Sequence, residues 1–161
     1  MLVGAVVLGL DQLSKQWALA ALRQVGSTLA LPGPVDLTLV LNRSNAFGLI
    51  PVSGELTRWG LAALGLVVAA ILARIVVRGS TSCLSAVGLA LISAGAIGNA
   101  LDRIRFGAVL DFFNASKLGF VWVFNVADCS IDVGIGLLVL AAFLTPPDAS
   151  QLSTAADDRA E

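Results

Sequence analysis

Histidine is absent from the 161 residues. That absence removes Ser-His-Asp and Cys-His nucleophile systems, and with them the His-Glu-x-x-His zinc site of a membrane metalloprotease. Charge is also scarce: 13% of residues are charged against 57% hydrophobic, a balance that lies outside the usual range for a soluble domain and places the chain in a bilayer. The net charge of −1 gives no electrostatic reason to expect nucleic acid or an anionic partner surface. Only two cysteines occur, Cys83 and Cys129. They fall near the starts of successive apolar runs that cross in opposite directions, so no disulfide between them is expected.

What the chain has in quantity is apolar sequence. Spanning the hydrocarbon core takes about 20 predominantly apolar residues. Four runs qualify, at about 1–22, 59–78, 84–102 and 127–144, which predicts four transmembrane helices. The first run holds Asp11 and Lys15 and lacks a basic lead-in or a small-residue cleavage site, so a cleaved signal peptide is not expected. Between runs one and two, VDLTLVLN at 35–42 alternates apolar and polar residues as a strand does. Between runs three and four, GFVWVFN at 119–125 alternates in the same manner. Both segments lie on one side of the membrane, together with Trp17, Trp59 and Trp122, and indole rings favour the headgroup boundary. The expectation is a membrane all-α fold with a small antiparallel sheet, forming a single domain over 1–145. Residues 146–161 begin with a Pro pair and are rich in Ala, Ser and Asp, so they are expected to form a disordered tail. Six cations (Arg23, Arg43, Arg58, Arg103, Arg105 and Lys117) lie on the strand-bearing side, against Arg74, Arg78 and Arg159 on the other. A bare count puts the strands in the cytoplasm, but the short 79–83 loop is flanked closely by Arg74 and Arg78, so charge leaves orientation open.

Each carboxylate near the membrane then needs a partner, a proton or water, because an Asp at a helix centre costs about 2.5–3.5 kcal/mol on insertion scales. Asp11 and Lys15 are spaced i, i+4 and are either a self-compensating ion pair or part of a site. Ala90, Ala94, Gly98 and Asp102 recur every fourth residue as a small-residue stripe that admits a neighbouring helix, and Asn99 and Arg103 form a second i, i+4 pair. Asp102 and Arg103 alone could mark where a helix leaves the bilayer. Asn99, as an amide within the span, needs several hydrogen-bond partners. Asp111 and Asp128 have no Lys or Arg within four residues, although Asp128 could also be only a helix-start residue. Asp132, four residues on, could add a third carboxylate to that face or could face the loop-side cavity. Without histidine, the hydrolytic options are a Ser-Lys pair using Lys15 or Lys117, or two carboxylates sharing a proton. The second fits better, because such a pair works only when no cation neutralises it.

Four segments, DQLSK at 11–15, LNRSNAFG at 41–48, GAIGNALDRIRFGAVLDF at 95–112 and FNVADCSI at 124–131, resemble in order and spacing the motifs of the lipoprotein signal peptidase (signal peptidase II) family. The resemblance implies an intramembrane aspartic endopeptidase with four helices, an extracytoplasmic sheet and both termini in the cytoplasm of a bacterial inner membrane. It implies Asp111 and Asp128 as the catalytic pair. Around them it implies substrate-binding or supporting roles for Asp11, Lys15, Asn42, Asn99, Asp102, Arg103 and Asn125. The implied substrate is a prolipoprotein cut on the amino side of its diacylglyceryl-modified cysteine. Membrane lipid is the surrounding partner, and no nucleic acid, obligatory oligomer, metal or cofactor is implied. Turn chemistry at strand ends is the simpler role for Asn42 and Asn125. The sequence departs from the family at Ser44 and Asn45, where small residues are usual, and at Asp132, a position commonly apolar or hydroxylic. A proton-coupled transporter fits less well, since there is no evident repeat and the acids cluster at one membrane face. A non-catalytic lipid-peptide binder differs from the enzyme only in turnover.

Overall fold

The computed structural model describes residues 2–43, 54–79 and 81–144. The expected tail at 146–161, and Ser44 and Asn45 with the rest of the LNRSNAFG motif beyond Arg43, lie outside the described residues. Four helices are present: α1 (Leu2–Leu22), α2 (Glu55–Val77), α3 (Cys83–Phe106) and α4 (Val126–Leu144). By length and composition, three of them (α2, α3 and α4) can cross a membrane. Polar residues within α1, among them Asp11, Gln12, Lys15 and Gln16, dilute its apolar run.

Helix α3 is the centre of the bundle, with 56% of its most apolar stretch buried against 11% for α2. Small residues allow this. A Cβ at Gly88 would stand 2.8 Å from the Gly134 carbonyl oxygen, and one at Gly134 would stand 2.6 Å from that of Gly88, so α3 and α4 touch backbone to backbone. At Gly98 the neighbour is Asp11 Oδ2, 2.5 Å from where a methyl would sit. Gly98→Ala is expected to lower stability by about 1–3 kcal/mol through overpacking, measured by thermal unfolding in detergent. An unchanged midpoint would contradict this close approach.

The polar end carries a four-stranded antiparallel sheet in the order β1 (Thr28–Leu29), β2 (Asp36–Asn42), β3 (Val109–Asn114), β4 (Val123–Phe124). Leu37 and Leu39 of β2 and Leu110 and Phe112 of β3 pack on Ala18 and Leu22 of α1, seating one face of the sheet on that helix. The period-two alternation leaves Asp111 on the other face, paired in register with Val40 and diagonal to Asn42.

Two expectations are corrected here. The alternating stretch 119–125 supplies only the two-residue β4, since Ser116–Leu118 is a 3₁₀ turn closed by Gly119 at φ 83°. The helix expected at 84–102 runs further, since α3 continues to Phe106 and ends in the left-handed Gly107 (φ 73°). Arg58 of α2 supports that extension, its Nε and Nη2 each donating at 2.7 Å to the last-turn carbonyls of Arg103 and Ile104, the first of which also accepts the Gly107 N–H.

Candidate active site

Asn125 is the hinge of the site. It precedes α4, and its Oδ1 accepts from the Asp128 backbone N–H at 2.9 Å while Asp128 Oδ2 accepts from the Asn125 backbone N–H at 3.3 Å. This reciprocal pair is a capping box that starts the helix. Asp128 is therefore a helix-start residue, and that role fixes where its carboxylate points. The Asn125 amide nitrogen donates the other way, at 2.6 Å to Asp111 Oδ1, with longer contacts to the Leu110 carbonyl (3.3 Å) and Asn99 Oδ1 (3.2 Å). One asparagine thus ties β3 to α4 and both carboxylates to each other.

Neutral amides complete the surroundings of the pair. Asn42 Nδ2 donates to Asp111 Oδ2 at 3.0 Å, and Asn99 Nδ2 donates to Asp128 Oδ1 at 2.8 Å. No ion pair among the described residues includes Asp111 or Asp128. Burial pushes the Asp111 carboxyl up, the negative charge of Asp128 adds to it, and the amides and Lys15 oppose it, leaving it at about 7. At neutral pH this carboxyl sits at its titration point.

The cationic counterweight lies one layer deeper. Lys15 Nζ spends its three hydrogens on Asp11 Oδ2 (2.9 Å), Asp102 Oδ2 (2.7 Å) and Asn99 Oδ1 (3.3 Å), and the lysine and both carboxylates are buried. The i, i+4 pair is therefore half of a three-body cluster spanning α1 and α3. Its acids also hold backbone: Asp11 Oδ1 accepts from the Ala127 N–H (2.9 Å) at the start of α4, and Asp102 Oδ2 accepts from the Leu110 N–H (3.2 Å) in β3. The two elements bearing Asp111 and Asp128 are thus fastened to the bundle by a second pair of carboxylates.

Of the residues singled out in the sequence, Asp11, Lys15, Asn42, Asn99, Asp102, Asp111, Asn125 and Asp128 form one connected network. Arg103 borders it, its Nη1 donating to the Asn99 backbone carbonyl at 3.3 Å and not to the Asn99 amide. A cavity of about 400 Å³ opens beside Asn42 and Arg103, with Arg43, Arg58 and Leu61 on its wall. Asp132 is exposed. Two contributors were not anticipated. Gln12 Nε2 lies 3.1 Å from Asp11 Oδ2 and 3.3 Å from Asp102 Oδ1, and Arg58 caps α3. Gln12 stands inside the quoted DQLSK motif, but nothing in sequence links Arg58 to residues 45 positions away. Among the described residues no group of three or more His, Cys, Asp or Glu is placed to hold a metal ion.

Comparison with known proteins bears on this arrangement. The family model for signal peptidase (SPase) II matches residues 3–144. The chain belongs to the signal peptidase II family. It is 46% identical over 145 residues to the lipoprotein signal peptidase of Caulobacter vibrioides, covering 89% of this chain and 85% of that one. It is 38% identical over 143 residues to that of an Azoarcus species, covering 88% and 80%. Two solved structures, each of a bacterial membrane enzyme, superpose with TM-scores of 0.74 at 26% identity, covering 88% of this chain and 85% and 90% of theirs. This signal peptidase II homologue is accordingly a membrane protein and a peptidase.

Proposed function

We propose that Asp111 and Asp128 are the catalytic pair with which this member of the signal peptidase II family removes signal peptides from prolipoproteins. The observation that carries the proposal is the pairing of two carboxylates through Asn125, ringed by amides and without an ion-pair partner among the described residues. Two such groups share one proton near neutral pH. The ionised member takes a proton from water as it attacks the scissile carbonyl. The protonated member donates to the carbonyl oxygen, and the pair then protonates the leaving amine. The cut falls on the amino side of a diacylglyceryl-modified cysteine. All four helices span the inner membrane, both termini are cytoplasmic, and the sheet and the aspartates are extracytoplasmic. On that arrangement the signal segment lies in hydrocarbon and water reaches the pair from the polar side. The domain ends near residue 145, one copy suffices, and surrounding lipid is its solvent. The deciding experiment incubates purified protein with a diacylglyceryl-modified prolipoprotein and looks for the shortened product.

A pH profile follows from the raised Asp111 carboxyl. Since the pair must keep one proton, kcat/KM is expected to fall about tenfold per pH unit above about 7, an apparent value that belongs to the pair. The same shift acts on stability. A carboxyl raised from 3.8 to about 7 contributes stability that is fully present below about 3.8 and lost as pH rises through about 7. Wild type should therefore lose stability relative to Asp111→Asn across that window, and parallel curves would count against the raised value.

Asp132→Ala is expected to keep its activity, because Asp132 is exposed on α4 and takes no part in the amide network. Complete loss of cleavage in a folded Asp132→Ala protein would mean that the pair is misassigned.

A further inference from the structure

Between the two strands that lead to the aspartates lies a segment that the chemistry does not use. Leu118 (54% exposed), Phe120 (54%), Val121 (85%) and Trp122 (69%) present four large apolar side chains within five residues, the Phe120 and Trp122 rings lying 6.4 Å apart. Such a run facing water is unfavourable and marks a surface meant for an apolar environment. Its position is fixed from both sides. Trp122 is three residues from Asn125, so within about 10 Å of the start of α4, a helix apolar enough to cross the membrane. At the other end Lys117 Nζ donates to Asp36 Oδ1 (2.6 Å) and to the Leu31 carbonyl (3.0 Å), clamping the segment to the β1–β2 turn, where Leu29 and Leu31 are also exposed. That clamp holds the Asp36 carboxyl below its usual range and occupies the only cation between residues 106 and 132.

We propose that residues 118–122 are a lipid anchor that inserts into the headgroup–acyl boundary of the leaflet on the sheet side, fixing the depth of Asp111 and Asp128. The occupant is bilayer lipid for two reasons: the patch runs, within a few residues, into α4, a helix long and apolar enough to cross a membrane, and aromatic rings favour that depth. Because Lys117 is already paired, the anchor is apolar and does not depend on anionic headgroups. Its legs are β3, which carries Asp111, and β4, which runs into Asn125 and Asp128, so its depth becomes theirs. The functional consequence rests on the catalytic reading above, whereas the insertion itself does not.

The test uses the full chain with Trp122 as its only indole, made with Trp17→Phe and Trp59→Phe and reconstituted into phosphatidylcholine vesicles with brominated acyl chains. Expected are blue-shifted emission, stronger quenching by bromines near the headgroup end than near the chain terminus, weak quenching by aqueous iodide, and no change on adding phosphatidylglycerol. Iodide-accessible, bromine-insensitive emission would overturn the proposal. Protection that appears only with added prolipoprotein would assign the patch to substrate, and protection only at high protein density would assign it to a second copy; either also overturns it. Should the double variant fail to fold, the loss of bromine quenching on Trp122→Phe in the native background reads the same quantity. Replacing Phe120, Val121 and Trp122 together by serine is expected to slow cleavage of bilayer-embedded prolipoprotein several-fold while sparing substrate in detergent micelles. Equal loss in both media would overturn the depth-setting role. Were the wild type to cleave nothing, the quenching result would still decide insertion.

Discussion

Asp111→Asn is expected to lower prolipoprotein cleavage by about 10²–10⁴-fold while leaving the protein folded, the range associated with loss of a positioned acid or base. The substitution is close to isosteric. Among the described residues Asp111 Oδ1 accepts from Asn125 and Oδ2 from Asn42, so the new NH₂ replaces one acceptor of one neutral hydrogen bond. The structural cost is therefore about 1–3 kcal/mol, offset in part by no longer burying a charge. Asp128→Asn should lose activity comparably and also cost stability. Its new amide would face Asn99 Nδ2, and Asn99 cannot turn without withdrawing its oxygen from Lys15 and Asn125. Both assays run on one preparation: product formation by gel shift, and thermal unfolding in detergent. Undiminished cleavage by either variant would remove that residue from the chemistry.

The largest stability effect should come from Lys15→Met. Its ammonium is the only cation paired with the buried carboxylates of Asp11 and Asp102 among the described ion pairs, and removing it leaves two like charges without compensation. Breaking a buried pair in this way costs about 3–5 kcal/mol. Adding Asp102→Asn to Lys15→Met should recover part of the loss, since one of the two stranded charges goes with it. Additive losses in the double variant would show that the three groups are not energetically coupled. Lys15 also draws the Asp111 carboxyl downward, so in any folded, active Lys15→Met protein the alkaline limb of the pH profile should move to higher pH. A limb that stays in place would separate the lysine from the pair.

Some of this was legible in the sequence because carboxylates and amides stand out in an apolar chain. Asp111 and Asp128, without nearby cations, pointed to a shared proton, and Asn99 within a span demanded partners. Helices were recoverable from apolar run length, and β2 from its alternation. Strand β3 was not, because Val109, Leu110, Asp111 and Phe112 are all buried and the two faces therefore do not differ in hydrophobicity. Strand β1 is only two residues long and has no periodicity to read. The overrun of α3 past Asp102 depends on Arg58, a contact chosen by tertiary packing. For the same reason Asp11, Lys15 and Asp102 looked like local helix features, although each acts across elements.

The reciprocal cap between Asn125 and Asp128 bears on how firmly the spacing of the proposed pair is held. In a loosely hung site a small shift of α4 against the sheet would separate the two carboxylates. Here one asparagine closes the cap and also grips Asp111, so the start of α4 and the strand bearing Asp111 are joined directly. That join is backed by Asp11 and Asp102, which hold the same two elements to α1 and α3.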